Sequence, residues 1–300
     1  MDLLLQVKAS YEMFRRQLSE SGIPEVDYRL VEKAEKEGQF LGEGTFGACY
    51  RLDGPDGVPL CVKILLARSL DRQWKSLLQE ARQIVRVKDI VGMIRLVGVS
   101  LLPKPAIVTR YAGTSLSSLL DDGKVSRMNA VKIITQILYI MNEMTKANLA
   151  HADLKTNNIV VEETSTGPRV TIIDLGMTQK FGYIPGRRET KKNPIYAPET
   201  YDGCCLGPPT QVYQVGRVLK SIFKHAPVED EELQRLAKEA TGIAADRPEL
   251  STMFKRGKEL LESEYRRSVL ERPDDNVRPQ KRTRVDDASE APNPKRANVD

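Results

Sequence analysis

Between an apolar-periodic run, Met128 to Leu149, and the strand-like Ile159-Val160-Val161 lies a polar octet: His151-Ala152-Asp153-Leu154-Lys155-Thr156-Asn157-Asn158. The run before it has helical spacing and the run after it is β-branched, so the octet is a loop between a helix and a strand. That arrangement is the tightest local constraint in the chain. A loop pinned at both ends by apolar elements is where a rigid scaffold can hold polar groups in place.

Asp153, Lys155 and Asn158 then project from one short segment. A carboxylate, an ammonium and an amide this close suit phosphoryl transfer. The carboxylate accepts the substrate hydroxyl proton, the ammonium neutralises the moving phosphoryl group, and the amide oxygen holds a metal. The same residue types are also ordinary turn formers, so the weight falls on what surrounds them.

The chain has 300 residues, enough for one two-lobed domain with a tail or for two small domains. A net charge of +5 is too modest to argue direct nucleic-acid binding. The cysteines, Cys49, Cys61, Cys204 and Cys205, have no zinc-like spacing, and the adjacent pair is a poor disulfide framework. They point to a reducing, intracellular compartment. Leu3-Leu4-Leu5 is too short for a signal segment, and no uninterrupted apolar stretch could span a bilayer.

Residues 1–20 read as a helix with Leu4, Val7, Tyr11, Phe14 and Leu18 on one stripe, stopped by Ser21-Gly22-Ile23-Pro24. The stripe either packs on the domain that follows or binds a partner. Gly42, Gly44 and Gly47 then form G-x-G-x-x-G. In a dinucleotide site that spacing opens a helix. Here it runs into strand-like Ala48 to Leu52, a turn at Asp53-Gly54-Pro55-Asp56-Gly57, and a second strand from Val58 to Leu65. Lys63 sits in that apolar strand, where a lysine is unusual unless its head group has a partner. It is either exposed or paired. Residues 69–87 read as a helix with Glu80 on the face of Leu77, Ile84 and Val87. Glu80 either pairs with Lys63 or is solvated beside Arg82. Val91 to Val99 and Ala106 to Tyr111 read as strands, the second running into a flexible joint at Ala112-Gly113-Thr114-Ser115-Leu116. A hairpin through Glu162 to Pro168 and a strand from Val170 to Ile173 then deliver Asp174-Leu175-Gly176, and Ala197-Pro198-Glu199 follows.

In this order the motifs resemble those of the eukaryotic protein-kinase family, over about 40–261. The resemblance implies an α+β, bilobed protein-kinase-like fold. Residues 1–38 would be a helical extension and 39–271 the kinase domain, with a small β-rich lobe at 39–110 and a shortened helical lobe at 111–271. Residues 272–300, poor in apolar side chains, would be a disordered tail. The implied activity is ATP-dependent transfer of the γ-phosphate to a protein hydroxyl, serine or threonine given Lys155. ATP and Mg2+ are the implied cofactors. Asp153 and Lys155 would be catalytic, and Asn158 and Asp174 would hold the metal. Gly42, Gly44, Gly47, Lys63 and Glu80 would serve the phosphates. Cys49 and Cys61 would roof the adenine, small enough to do so and otherwise inert packing. Thr109 would back the adenine pocket, and the backbone of Arg110 and Ala112 would bond the adenine edge. Glu199 would pair with Arg247.

The chain departs from the family at Ala152, where an arginine usually receives an activation-segment phosphate, and at Gln211, where an aspartate usually braces the catalytic loop. Lys192 stands where serine/threonine kinases carry a threonine near the catalytic aspartate. The stretch from Gly216 to Arg247 is short enough that a substrate-docking helix is reduced or missing. These departures keep a pseudokinase, binding nucleotide or acting as a scaffold, as the alternative. A small-molecule kinase is a further one, disfavoured by Lys155 and Ala197-Pro198-Glu199. Thr178 and Thr190 are phosphorylation candidates or simply exposed threonines. The expected partners are a protein substrate, with no membrane, and a nuclear-import receptor at Lys281-Arg282-Thr283-Arg284 and Lys295-Arg296. Those clusters could equally belong to a solvated tail, so the chain is expected in the nucleus or cytoplasm, with the nucleus favoured.

Overall fold

The computed structural model describes residues 3–44, 47–66, 69–185 and 193–270. The chain opens with helices α1 (Leu3–Glu20) and α2 (Tyr28–Glu37), then strands β1 (Gln39–Gly44), β2 (Gly47–Asp53) and β3 (Pro59–Leu65). Helix α3 (Leu70–Arg86) precedes β4 (Leu96–Ser100) and β5 (Ala106–Arg110). These strands form one antiparallel sheet in the order β1-β2-β3-β5-β4.

The period of two along β3 sorts the sheet's faces. Leu60, Val62 and Ile64 point to one side, where they bury Val31 and Ala34 of α2. Cys61, Lys63 and Leu65 point to the other side. Helix α2 was not foreseen as a separate element. Asp27 caps it by accepting from the Arg29 amide at 2.9 Å.

Helix α3 is amphipathic and buries Trp74, Leu77, Leu78, Ala81 and Ile84. Phe14 of α1 sits against Trp74 with ring centroids 5.4 Å apart, and Tyr11 follows at 6.3 Å. Phe14 and Leu18 are each 2% exposed. Of the α1 stripe that a partner could bind, Val7, Tyr11, Phe14 and Leu18 instead pack into the same core cluster as Trp74. The outer edge of β4 is covered too: Val26 donates to Val99 O and Val99 donates to Pro24 O, so residues 24–26 close a sheet edge that would otherwise offer unpaired amides. β4 begins at Leu96 rather than Val91; residues 92–94 instead bond to Ile172.

The large lobe begins with β6 (Thr114–Ser115) and α4 (Leu116–Asp121), followed by the long α5 (Arg127–Lys146) and β7 (Leu149–Ala150). The joint expected at 112–116 is pinned rather than flexible. Thr114 and Ser115 pair with Val161 and Val160 of β8 (Ile159–Thr164). Gly113 has φ +112, and a Cβ there would meet Val161 O at 2.2 Å, so only glycine fits. β9 (Gly167–Ile172) completes this sheet, and β10 (Gln179–Lys180) pairs with β7.

Helix α5 is the central post of the lobe, burying Ile133, Ile134, Ile137, Leu138 and Met141. Helices α6 (Pro208–His225), α7 (Glu231–Ala240) and α8 (Leu250–Leu270) surround it. Between Gly216 and Arg247 the chain builds only the rest of α6, the ten-residue α7 and a short turn at Ala244–Asp246, the compact region expected there.

Phe14→Ala should remove the aromatic seat of α1 on Trp74 and cost about 3 kcal/mol. Urea unfolding of the variant beside the wild type measures it.

Candidate active site

Side chains from three elements meet on the inner face of the small lobe's sheet. Lys63 Nζ donates to both carboxylate oxygens of Glu80 at 3.0 and 2.9 Å, and to Asp174 Oδ1 at 3.3 Å. Glu80 comes from the middle of α3, and its side chain is only 7% exposed. Burial alone would lower the Lys63 pKa, but Glu80 and Asp174 outweigh it and hold the ammonium above the ordinary lysine value. Burial pushes Glu80 upward, against the pull of Lys63. The sequence alternatives for both residues are thereby resolved: neither is a solvated surface group.

Asp174 follows β9 with φ 60, a left-handed conformation uncommon for a residue other than glycine. Gln79 Nε2 reaches across from α3 to Gly176 O at 2.9 Å, holding this turn against the small lobe.

The catalytic-loop octet is bound to the same turn. Ile173 N donates to Asn158 O at 2.9 Å. His151 Nδ1 accepts the Asp153 amide at 3.3 Å, which leaves Nε2 protonated to donate to Ile173 O at 3.1 Å. His151 is fully buried; burial lowers its pKa against the opposing bond to Ile173.

Within the octet, Asp153 Oδ2 accepts Lys155 Nζ at 2.8 Å and Asn158 Nδ2 at 3.1 Å. Asn158 Nδ2 also donates to Asp153 O at 2.9 Å. Both amide protons of Asn158 thus serve Asp153, and its side-chain oxygen is the atom suited to a metal ion. No group of three or more His, Cys, Asp or Glu among the described residues could hold a metal. The oxygens this site offers are those of Asp174 and Asn158, a sparse set that would suit Mg2+ shared with phosphates.

Gln211 braces the loop despite lacking a charge. Its Oε1 accepts the His151 amide at 3.0 Å, while Nε2 donates to Thr145 Oγ1 at 2.7 Å and Met141 O at 3.2 Å. Glu199 and Arg247 pair as expected, at 2.5 and 3.0 Å. Arg247 also donates to Pro209 O at 2.8 Å and lies over the Tyr213 ring.

The roof is built from β2, β3 and β5. Gly42, Gly44 and Gly47 sit at the β1–β2 turn, whose tip, Thr45 and Phe46, lies outside the described residues. A Cβ on Gly47 would meet Ile64 O at 2.3 Å, so glycine lets β2 close on β3. Cys49 lies opposite Lys63, and Cys61 opposite Thr109. Hydrogen bonding with Cys61 holds the Cys49 pKa below the ordinary thiol value, and hydrogen bonding with Cys49 together with burial drives that of Cys61 upward. At the hinge, the Arg110 amide already donates to Arg95 O, while the Ala112 amide donates to no backbone carbonyl among the described residues. A groove of about 410 Å³ lies behind this hinge, and none of Lys63, Glu80, Asp153, Asn158 or Asp174 lines it.

Two expectations change. Thr178 is 0% exposed and its hydroxyl is without a partner among the described residues, so it is not a solvent-facing threonine. Tyr196, unremarked in the sequence, donates from its hydroxyl to Asp153 Oδ1 at 3.2 Å, the neighbourhood assigned to Lys192. Lys192 itself, Thr190 and the basic clusters at 281–284 and 295–296 lie outside the described residues. So does the tail at 272–300.

A profile described as "Protein kinase domain" matches residues 36–280. A "Calcium/calmodulin-dependent protein kinase" of Metarhizium anisopliae is 24% identical over 212 residues, covering 69% of this chain and 55% of that protein. The "Serine/threonine-protein kinase KIC1" of Saccharomyces cerevisiae is 25% identical over 243 residues, 72% of this chain and 22% of that protein. "Serine/threonine-protein kinase D2" of Homo sapiens is 26% identical over 170 residues, 54% of this chain and 19% of that protein. The chain thus spans about half or less of the length of these relatives. No helix among the described residues is long and apolar enough to cross a membrane.

Gln211→Ala should leave the His151 amide unpaired in the interior, since the Met141 carbonyl keeps the Thr145 hydroxyl as a partner, and cost about 2 kcal/mol, read from urea midpoints. His151 makes a pH prediction. Its folded pKa lies below the unfolded value of 6.5, so its contribution is complete above pH 6.5 and is lost as pH falls. The wild type should lose up to about 1.4 kcal/mol per pH unit more than His151→Asn below that point. Equal slopes in the two proteins would contradict a neutral buried histidine.

Proposed function

We propose, for a chain that belongs to the protein kinase domain family, that it transfers the γ-phosphate of ATP to a serine or threonine hydroxyl of a protein. The observation that carries this reading is the meeting of Lys63, Glu80 and Asp174 beside a catalytic loop tied to the same turn. The names of the relatives support serine or threonine as acceptor, as does Lys155 beside Asp153.

Lys63, oriented by Glu80, binds the nucleotide phosphates. Asp174 and the side-chain oxygen of Asn158 would hold Mg2+, which when bound would supply charge neutralisation on the phosphates. Asp153 orients the acceptor hydroxyl and receives its proton. Lys155, 2.8 Å from Asp153, offsets negative charge on the group being transferred. In a loose transition state little covalent chemistry is left to the protein, so fixed geometry and neutralised charge supply most of the acceleration.

The scaffold alternative is motivated by Ala152, Gln211 and Lys192. The bonds Gln211 makes to His151, Thr145 and Met141 weaken that motive, because the loop is braced without a carboxylate.

Asp153→Asn should lower phosphate transfer to a mixed protein acceptor by at least about 100-fold, with nucleotide affinity unchanged. Lys63→Met should lose both. Radiolabel transfer and fluorescent-nucleotide titration check the pair. Nucleotide binding without transfer in the wild type would favour the scaffold.

A further inference from the structure

The Asp153 carboxylate is held from two sides by two different parts of the chain. Oδ2 takes Lys155 and Asn158, both within the catalytic loop. Oδ1 takes the hydroxyl of Tyr196, 43 residues away and immediately before Ala197-Pro198-Glu199. The base that carries Tyr196 is firm. Ala197 is 2% exposed, the Tyr213 hydroxyl donates to Pro194 O at 3.1 Å, and Glu199 is locked to Arg247.

The direction of approach matters. Tyr196 lines a cavity of about 10 Å³ with Ala150, Ala152, Leu206 and Thr210. That volume admits about one water at most. Ala150, Ala152 and Leu206 are themselves buried, at 2%, 5% and 4% exposure. The small side chains at 150 and 152 leave this wall open to an aromatic neighbour, and a long side chain at 152 would invade the same space. Tyr196 therefore reaches Asp153 from the interior of the large lobe. A carboxylate oxygen accepts more than one hydrogen bond, so Oδ1 keeps capacity for a second donor.

We infer that Tyr196 is a positioning residue: its hydroxyl fixes the plane of the Asp153 carboxylate, tying the Ala197-Pro198-Glu199 segment to the catalytic loop and leaving one acceptor direction for the substrate hydroxyl. This rests on the kinase reading above. It assigns to a phenol, supplied from that segment, the task of completing a carboxylate that the loop alone holds on one oxygen only.

The test is Tyr196→Phe, which deletes the hydroxyl and keeps the ring. Steady-state transfer to a serine- and threonine-containing protein acceptor is measured for wild type and variant, varying ATP and acceptor separately. The expected result is kcat lowered about tenfold, equivalent to about 1.4 kcal/mol, with the KM for ATP and for acceptor unchanged. An unchanged kcat overturns the inference. So does a lowered acceptor KM with kcat held or raised, which would mean that the hydroxyl competes for the acceptor's place. Absence of transfer in the wild type would fail the kinase reading separately. The tie is then judged by hydrogen exchange over 151–158: faster exchange in Tyr196→Phe supports it, and equal exchange overturns it.

Discussion

The rest of the site depends on the ammonium of Lys63 having somewhere to go. An apolar strand does not accept a charged head group unless it is paired, and Glu80 and Asp174 both lie within hydrogen-bonding distance. Each of the three is placed by a different element. The alternation of β3 turns Lys63 inward because Val62 and Ile64 are taken by α2. The seating of α3, through Trp74 and Leu77, brings Glu80 to it. The turn after β9 brings Asp174. Two carboxylates so close to one another repel without a cation, so small-lobe sheet, helix and large-lobe turn are coupled through one positive charge.

The second half of the site is joined by neutral bonds. His151 and Asn158 each contact Ile173, one residue before Asp174. The carboxylate of Asp153 and that of Asp174 are thereby referenced to the same short piece of backbone. Helix α5 supplies the fixed frame: it carries Met141 and Thr145, which anchor Gln211, and it packs α8 through Thr135 and Gly257.

Much of this was legible in the residues, for identifiable reasons. Lys63 and Glu80 stood out because each interrupts an apolar pattern, and such interruptions demand partners. Glu199 and Arg247 were readable because short motifs mark their neighbourhoods. Tyr196 was not readable, since its contact depends on a chain path that no local pattern encodes; its nearness to Ala197-Pro198-Glu199 and the small residue at 152 were the only hints. Helix α2 was missed because its apolar side is narrow, with Val31 and Ala34 its buried residues. The joint at 112–116 was misread because glycine signals freedom in a sequence, whereas Gly113 is there to let two backbones touch. Thr178 was misread because a threonine in a polar stretch gives no sign of being enclosed.

Gln211 has one more property that follows from its chemistry. An amide both gives and receives, and all three of its polar contacts are used: one inward to His151 and two to α5. A carboxylate in that seat could only receive, and would present like charge to the carbonyl of Met141. The carboxamide also has no protonation state to change. The strut between the central helix and the reacting loop therefore has no titration of its own, and it holds through neutral hydrogen bonds that salt screens little.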